Sequence, residues 1–115
     1  MDRRYAVTHF DDVEPTPCPC GEARRAFLAE ADGVLSCHRT RIAGDSRVHY
    51  HKRLTEVYYI LEGSGRVELD GGSFPVRPGS AVLIKPLCRH RAVGDLTAII
   101  VPVPAFDPDD EWFDE

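Results

Sequence analysis

From Gly33 onward the apolar positions fall into short runs, each closed by a turn residue, with no stretch at helical spacing. Alternation and β-branched or aromatic content predict strands over residues 34–42, 47–51, 56–61, 66–69, 73–76, 81–84 and 96–101. Ala43-Gly44-Asp45, Gly63-Ser64-Gly65 and Pro78-Gly79 read as the turns between them, and Asp70-Gly71-Gly72 is a hairpin signal. Pro75 cannot donate to a ladder and belongs on an edge strand. Residues 81–84, apolar throughout, read as a buried strand. The pattern predicts an all-β fold, a small barrel or sandwich.

The two ends differ from this middle. Residues 1–33 carry Pro15, Pro17, Pro19 and Gly21, which exclude a regular helix and suit an extended arm. A short strand near residues 5–7 fits within it, and residues 24–30 suit either a strand or a helical turn. Residues 105–115 form a tail in which Asp107, Asp109, Asp110, Glu111, Asp114 and Glu115 outweigh the whole formal net charge of −5. The tail also holds Phe106, Phe113 and the single tryptophan, Trp112. A large apolar side chain left in water forfeits about 1.5–3 kcal/mol, so these rings are expected to dock on the barrel or on a neighbouring subunit. At 115 residues the chain is one domain: arm 1–33, barrel core 34–104 and tail 105–115.

Charge and hydropathy narrow the partners. A net charge of −5 argues against nucleic acid, whose binding depends on cation–phosphate contacts. No apolar run approaches the ~20 residues of a membrane helix, and the first residues lack a secretory signal's apolar segment, so a cytoplasmic protein is expected. Cys18, Cys20, Cys37 and Cys88 show no zinc-knuckle spacing, and reduced thiols are expected there.

The chemistry concentrates in 49–56. His49 and His51, at i and i+2, face one way on an extended chain. If the Lys52-Arg53-Leu54-Thr55 stretch turns the chain back, Glu56 stands opposite both imidazoles. Two imidazoles and a carboxylate on rigid strands suit a divalent first-row metal.

Gly44, His49, His51, Glu56 and Gly63 together resemble the first motif of the cupin superfamily, glycine, H-x-H, glutamate, glycine. The second motif of that family is similar to Gly79 through His90, with Lys85 where a proline is usual, Leu87 where a glycine is, and Gly94 where an asparagine is. The resemblance covers about residues 34–104. It implies a double-stranded β-helix, a small jelly-roll barrel, with His49, His51, Glu56 and His90 as ligands of one divalent transition metal. Iron, manganese, nickel and zinc all suit such N/O ligands. It also implies a homodimer, which an open sheet edge independently favours.

Other residues could add chemistry. Arg47 shares parity with His49 and His51 and could hold a substrate carboxylate or phosphate, or else reach to the rim. Tyr58 shares parity with Glu56 and could carry a proton or simply pack. Arg39 and Arg41 share one face with Leu35 and Cys37; His38, Thr40 and Ile42 share the other, and which is inside stays open. His9 and His38 match no ligand position. Cys88 could line the pocket, but a packed thiol is the commoner case. The expected function is a metal-dependent small cupin enzyme of dioxygenase, isomerase or lyase type on a small oxygenated or anionic molecule, with Glu56 and Tyr58 as candidate catalytic residues. The alternative is a non-catalytic binding or sensing cupin with the same pocket.

Overall fold

A computed structural model of the chain describes residues 3–115, apart from the side chain of Asp45. Seven strands form one antiparallel sheet folded on itself: β1 (Pro15–Cys18), β2 (Gly21–Ala26), β3 (Cys37–Asp45), β4 (Thr55–Leu69), β5 (Gly72–Val76), β6 (Ala81–Ile84) and β7 (His90–Val103). Their order is β1-β2-β3-β7-β4-β5, with β6 also paired to β4. A single 3-10 turn covers Phe10–Asp12. The all-β fold expected from the pattern, and the small barrel implied by the resemblance, are what is observed.

Side-chain parity explains which face is inside. On β4, Glu56, Tyr58 and Ile60 are buried while Val57, Tyr59 and Leu61 face out. On β3, His38, Thr40 and Ile42 point inward, which sends Arg39 and Arg41 to the outer face. Ile42, Ile60, Val67, Leu96 and Ala98 belong to the barrel's apolar core. Ile42, with Tyr58 and Ile100 of the same cluster, also borders a cavity.

Several boundaries differ from expectation. Residues 56–61 and 66–69 are one strand, β4, because Gly63 and Gly65 stay in register with β7 instead of turning. A β-bulge between Ile60 and Glu62 and the positive φ of Gly63 (84°) bend the strand there, and a Cβ on Gly63 would run into the Asp95 carbonyl. β7 likewise extends beyond 96–101 in both directions. Residues 47–51 form no strand: only His49 and Tyr50 make bridges, to His90 and Trp112. Of Ala81–Ile84 only Ile84 is buried, since the outward side of β6 has nothing over it. Residues 5–7 form no strand. Residues 24–26 finish β2, after which Phe27 at φ 64° turns the chain away.

Within the stretch expected as an extended arm, β1 and β2 are members of the sheet. Their hairpin puts Cys18 opposite Gly21, and Cys18 and Cys20 are joined in a disulfide with Cα atoms 5.3 Å apart. The expectation of reduced thiols is corrected for this pair, because the tight turn at Pro19 folds the two side chains together. Cys37 and Cys88 are free. Asp70 and Gly71, at φ 48° and 84°, form the expected hairpin turn into β5, and Pro75 lies on that edge strand. No described helix is long and apolar enough to cross a membrane.

Candidate metal centre

The site is built from three places in the chain. The segment after β3 brings His49 and His51, β4 brings Glu56, and the first residue of β7 is His90, bridged directly to His49. The imidazole centroids of His49 and His51 are 5.2 Å apart, those of His49 and His90 4.3 Å, and those of His51 and His90 5.4 Å. One nitrogen from each ring falls within 4.8 Å of the other two, close enough for the three histidines to hold a metal ion. Glu56 Oε1 lies 3.1 Å from His51 Nε2 and 3.3 Å from His90 Nε2.

Backbone carbonyls set the direction of the rings. His49 Nδ1 faces Arg47 O at 3.1 Å, His51 Nδ1 faces Asp110 O at 2.5 Å, and His90 Nδ1 faces Cys88 O at 2.8 Å. A carbonyl can only accept, so each Nδ1 carries the proton and each Nε2 presents a lone pair to the shared centre. Glu56 Oε1 and His90 Nε2 are buried with no hydrogen-bond partner. Orphaned buried polar atoms are costly, and a cation between them would satisfy all of them at once. The donor set therefore fits a divalent metal.

With no ion bound, His49, Glu56 and His51 respond differently to their surroundings. Burial, with His90 beside it, pulls His49 down to about 4. Burial would raise Glu56, but His51 and His90 outweigh it and hold the carboxyl at about 2. Burial also pulls on His51, yet Glu56 and the Asp110 carbonyl hold it above the ordinary histidine value. Protons thus compete with metal for the same lone pairs.

The C-terminal tail completes the site. Asp110, 3% exposed, caps the turn between His51 and β4: its carboxylate accepts from the backbone N–H groups of Lys52, Arg53 and Leu54 at 2.9, 3.0 and 3.1 Å. Its carbonyl is the partner that orients His51. Trp112 pairs with Tyr50 through two backbone hydrogen bonds of 2.9 Å and lies under the Lys52 ammonium. Glu111 reaches inward, Oε1 3.8 Å from His49 Nε2. Of the three rings expected to dock, Phe106 packs edge-on to His38 and Phe113 stacks against the Arg47 guanidinium at 4.3 Å, whereas Trp112 remains 40% exposed.

Beside the centre opens a cavity of about 230 Å³. Its walls are mostly apolar, with Ile42, Ile100, Phe106 and Phe113, while Tyr58, Glu111, His38 and Arg25 supply the polar groups. Arg47 lines the mouth as an exposed residue and is not the inward strand residue that parity predicted, because 47–51 is not a strand. Tyr58 is buried on the cavity wall; burial, with Glu56 and Glu111 nearby, pushes its phenol well above the ordinary value, so it stays protonated. Cys88 packs against the core and does not line the cavity. Asp110, Glu111, His38 and Arg25 were missed as site residues. Nothing distinguishes Asp110 and Glu111 from the other tail acids in sequence, whereas choosing a strand over 24–26 would have put Arg25 in phase with the inward Ala23.

Three clustered imidazoles beside a buried carboxylate, inside a small antiparallel barrel, form a cluster that could hold a metal ion. The chain belongs to the cupin domain family, whose model matches residues 39–103. A solved structure of a protein from Planctomyces limnophilus superposes with a TM-score of 0.90 at 38% identity, covering 98% of this chain and 100% of that one. Polyketide synthase CurC of Streptomyces cyaneus is 42% identical over 108 residues, 88% of this chain and 70% of that protein. L-Ectoine synthase of Halomonas elongata is 38% identical over 72 residues, spanning 60% of this chain and 53% of that protein.

Proposed function

We propose that this chain is a metal-dependent cupin enzyme acting on a small oxygenated molecule by proton transfer, of isomerase or lyase type. The observation that carries the reading is the convergence of His49, His51, His90 and Glu56, with Glu56 Oε1 and His90 Nε2 buried and unpartnered among the described residues, beside a cavity whose wall includes His49, His51 and Glu56. These four residues would hold one divalent ion, iron, manganese, nickel or zinc. A bound ion would supply Lewis acidity toward an oxygen of the substrate. Tyr58 would donate to the reacting molecule from the buried wall, and Glu111 would exchange protons at the mouth, since both line the same space. Arg47, stacked on Phe113, would meet the substrate as it enters.

At about 230 Å³ the cavity is smaller than the ~300–1,000 Å³ of drug-sized ligand sites, which supports a small substrate. Two relatives named as synthases are in keeping with work on small molecules. Val57, Tyr59 and Leu61, with Leu83 of the neighbouring strand, leave an apolar outer face, and we place the homodimer contact there.

The test is turnover by protein loaded with each of the four metals, across small hydroxy- and oxo-compounds. Loss or migration of a proton, followed by NMR in deuterated water and abolished by Glu56→Gln, is expected. Tight binding without exchange would return the cavity to a binding or sensing module.

A further inference from the structure

The geometry points to Arg25 as the anion-holding residue of the cavity, so that its ligand is a small carboxylate with an apolar or aromatic body. This deepens the proposed function and rests on its reading of the cavity as a substrate site.

Directly paired residues in an antiparallel sheet point to the same side. Arg25 pairs with His38, His38 with Ile100, and Ile100 with Tyr58, one row crossing β2, β3, β7 and β4. All four line the cavity. Tyr58 is two residues from Glu56, so the row begins beside the metal centre and ends at Arg25 on the far wall. Three inter-strand steps of ~4.8 Å separate Tyr58 from Arg25 along the sheet. A molecule polarised at the metal centre would place its other end against the guanidinium.

The bonding of Arg25 sets it apart. Arginines of the outer faces, Arg24, Arg39, Arg53, Arg66 and Arg89 among them, donate to carbonyls or carboxylates. Among the described residues Arg25 has no hydrogen-bond or ion-pair partner, and its Nε is buried without an acceptor. Its guanidinium lies over the Phe106 ring at 4.3 Å. That contact uses the flat face of the cation and leaves the N–H edge free. Glu111 acts on Arg25 electrostatically but forms no ion pair with it. Anchoring Phe106 alone would not require an Nε–H shut away from an acceptor; a planar carboxylate would accept from Nε–H and a neighbouring guanidinium N–H at once. The walls beside it, Ile100, Phe106 and Ala23, suit a carbon skeleton and not a second charge.

Benzoate and its uncharged counterpart benzamide are suitable probes, titrated into the protein as purified and after chelation, with metal content measured on the same samples. In wild type the Arg25 Nε–H resonance should shift on adding benzoate and not benzamide. Arg25→Met, which keeps the apolar stem over Phe106, should weaken benzoate at least tenfold, and Arg25→Lys, which keeps the charge without the fork, by a smaller factor. An unmoved Arg25 resonance, equal binding of benzamide, or wild-type affinity in both variants would overturn the assignment. Arg25-dependent binding in protein that neither holds nor takes up metal would uphold the anion site while removing the metal reading. Metal-replete protein whose benzoate affinity ignores Arg25 would do the opposite.

Discussion

The segment 49–56 and the tail around Asp110 occupy the same corner of the molecule and reach it by opposite routes. His49, His51 and Glu56 would carry ligand atoms, and their spacing alone announces them as candidates. Asp110 carries none, yet its carbonyl fixes the His51 tautomer and its carboxylate caps three successive backbone N–H groups. One region supplies the chemistry and the other its direction. His49 and His90 are oriented by carbonyls two residues away, whereas the orientation of His51 comes from a residue nearly sixty positions along the chain.

The strongest way to break that contrast is to remove the ligands themselves. His49→Ala with His51→Ala should weaken metal by on the order of 10³-fold or more while the barrel still folds, measured by competition with a chromophoric chelator. Truncation after Pro104 comes next, since it takes away Phe106, Phe113, Trp112 and the Asp110 cap together, and it should lower the melting temperature more than any tail substitution. Asp110→Ala isolates the cap: about 2–4 kcal/mol of stability lost, roughly a 10 °C fall in melting temperature, and metal held ~10–100-fold more weakly. A tail that merely covers the barrel would leave metal affinity unchanged in both variants.

Acid sharpens the comparison further. Burial, and then Arg25 nearby, holds His38 at about 4, while Ser36 Oγ faces its Nε2 at 2.8 Å. The unfolded chain binds this proton near 6.5, so the folded state loses stability as pH falls from 6.5 toward 4, by on the order of 3 kcal/mol from this group. Chemical denaturation across that window should show the decline in metal-free protein, and His38→Gln should reduce it, the remainder coming from His49, which burial also holds at about 4. A slope unchanged in the variant would assign the decline to other groups. The smallest effect concerns Leu87, exposed and at φ 76°, in the position where the cupin motif has glycine. Leu87→Gly should stabilise by up to about 1 kcal/mol by relieving a left-handed backbone, read from denaturation midpoints.

Leu87 also shows how sequence and structure divide the information. The motif departure was visible beforehand, but only the backbone shows that the conformation was kept and the residue changed. Strand parity told which residues of β4 face inward, because a period of two survives any error in the ends. It failed for Arg47, since 47–51 pairs through single bridges to β7 and the tail and so has no regular pleat. Gly63 and Gly65 read as a turn because glycine marks both turns and sharp bends, and only the register with β7 separates the two. The disulfide at Cys18 and Cys20 depended on a hairpin hidden in a proline-rich stretch. Local parity grouped His38 with Thr40 and Ile42, and would have grouped Arg25 with Ala23, but only the long-range pairing of β2, β3 and β7 shows that these faces are the inner ones.

The most direct measurement is elemental analysis of the purified chain after extensive dialysis, repeated after offering iron, manganese, nickel and zinc. Convergence of three Nε2 lone pairs and the Glu56 carboxylate predicts about one divalent ion per chain, lost when His49 and His51 are both replaced by alanine. A wild-type chain that retains none and takes up none, or a double variant that keeps its ion, would contradict it.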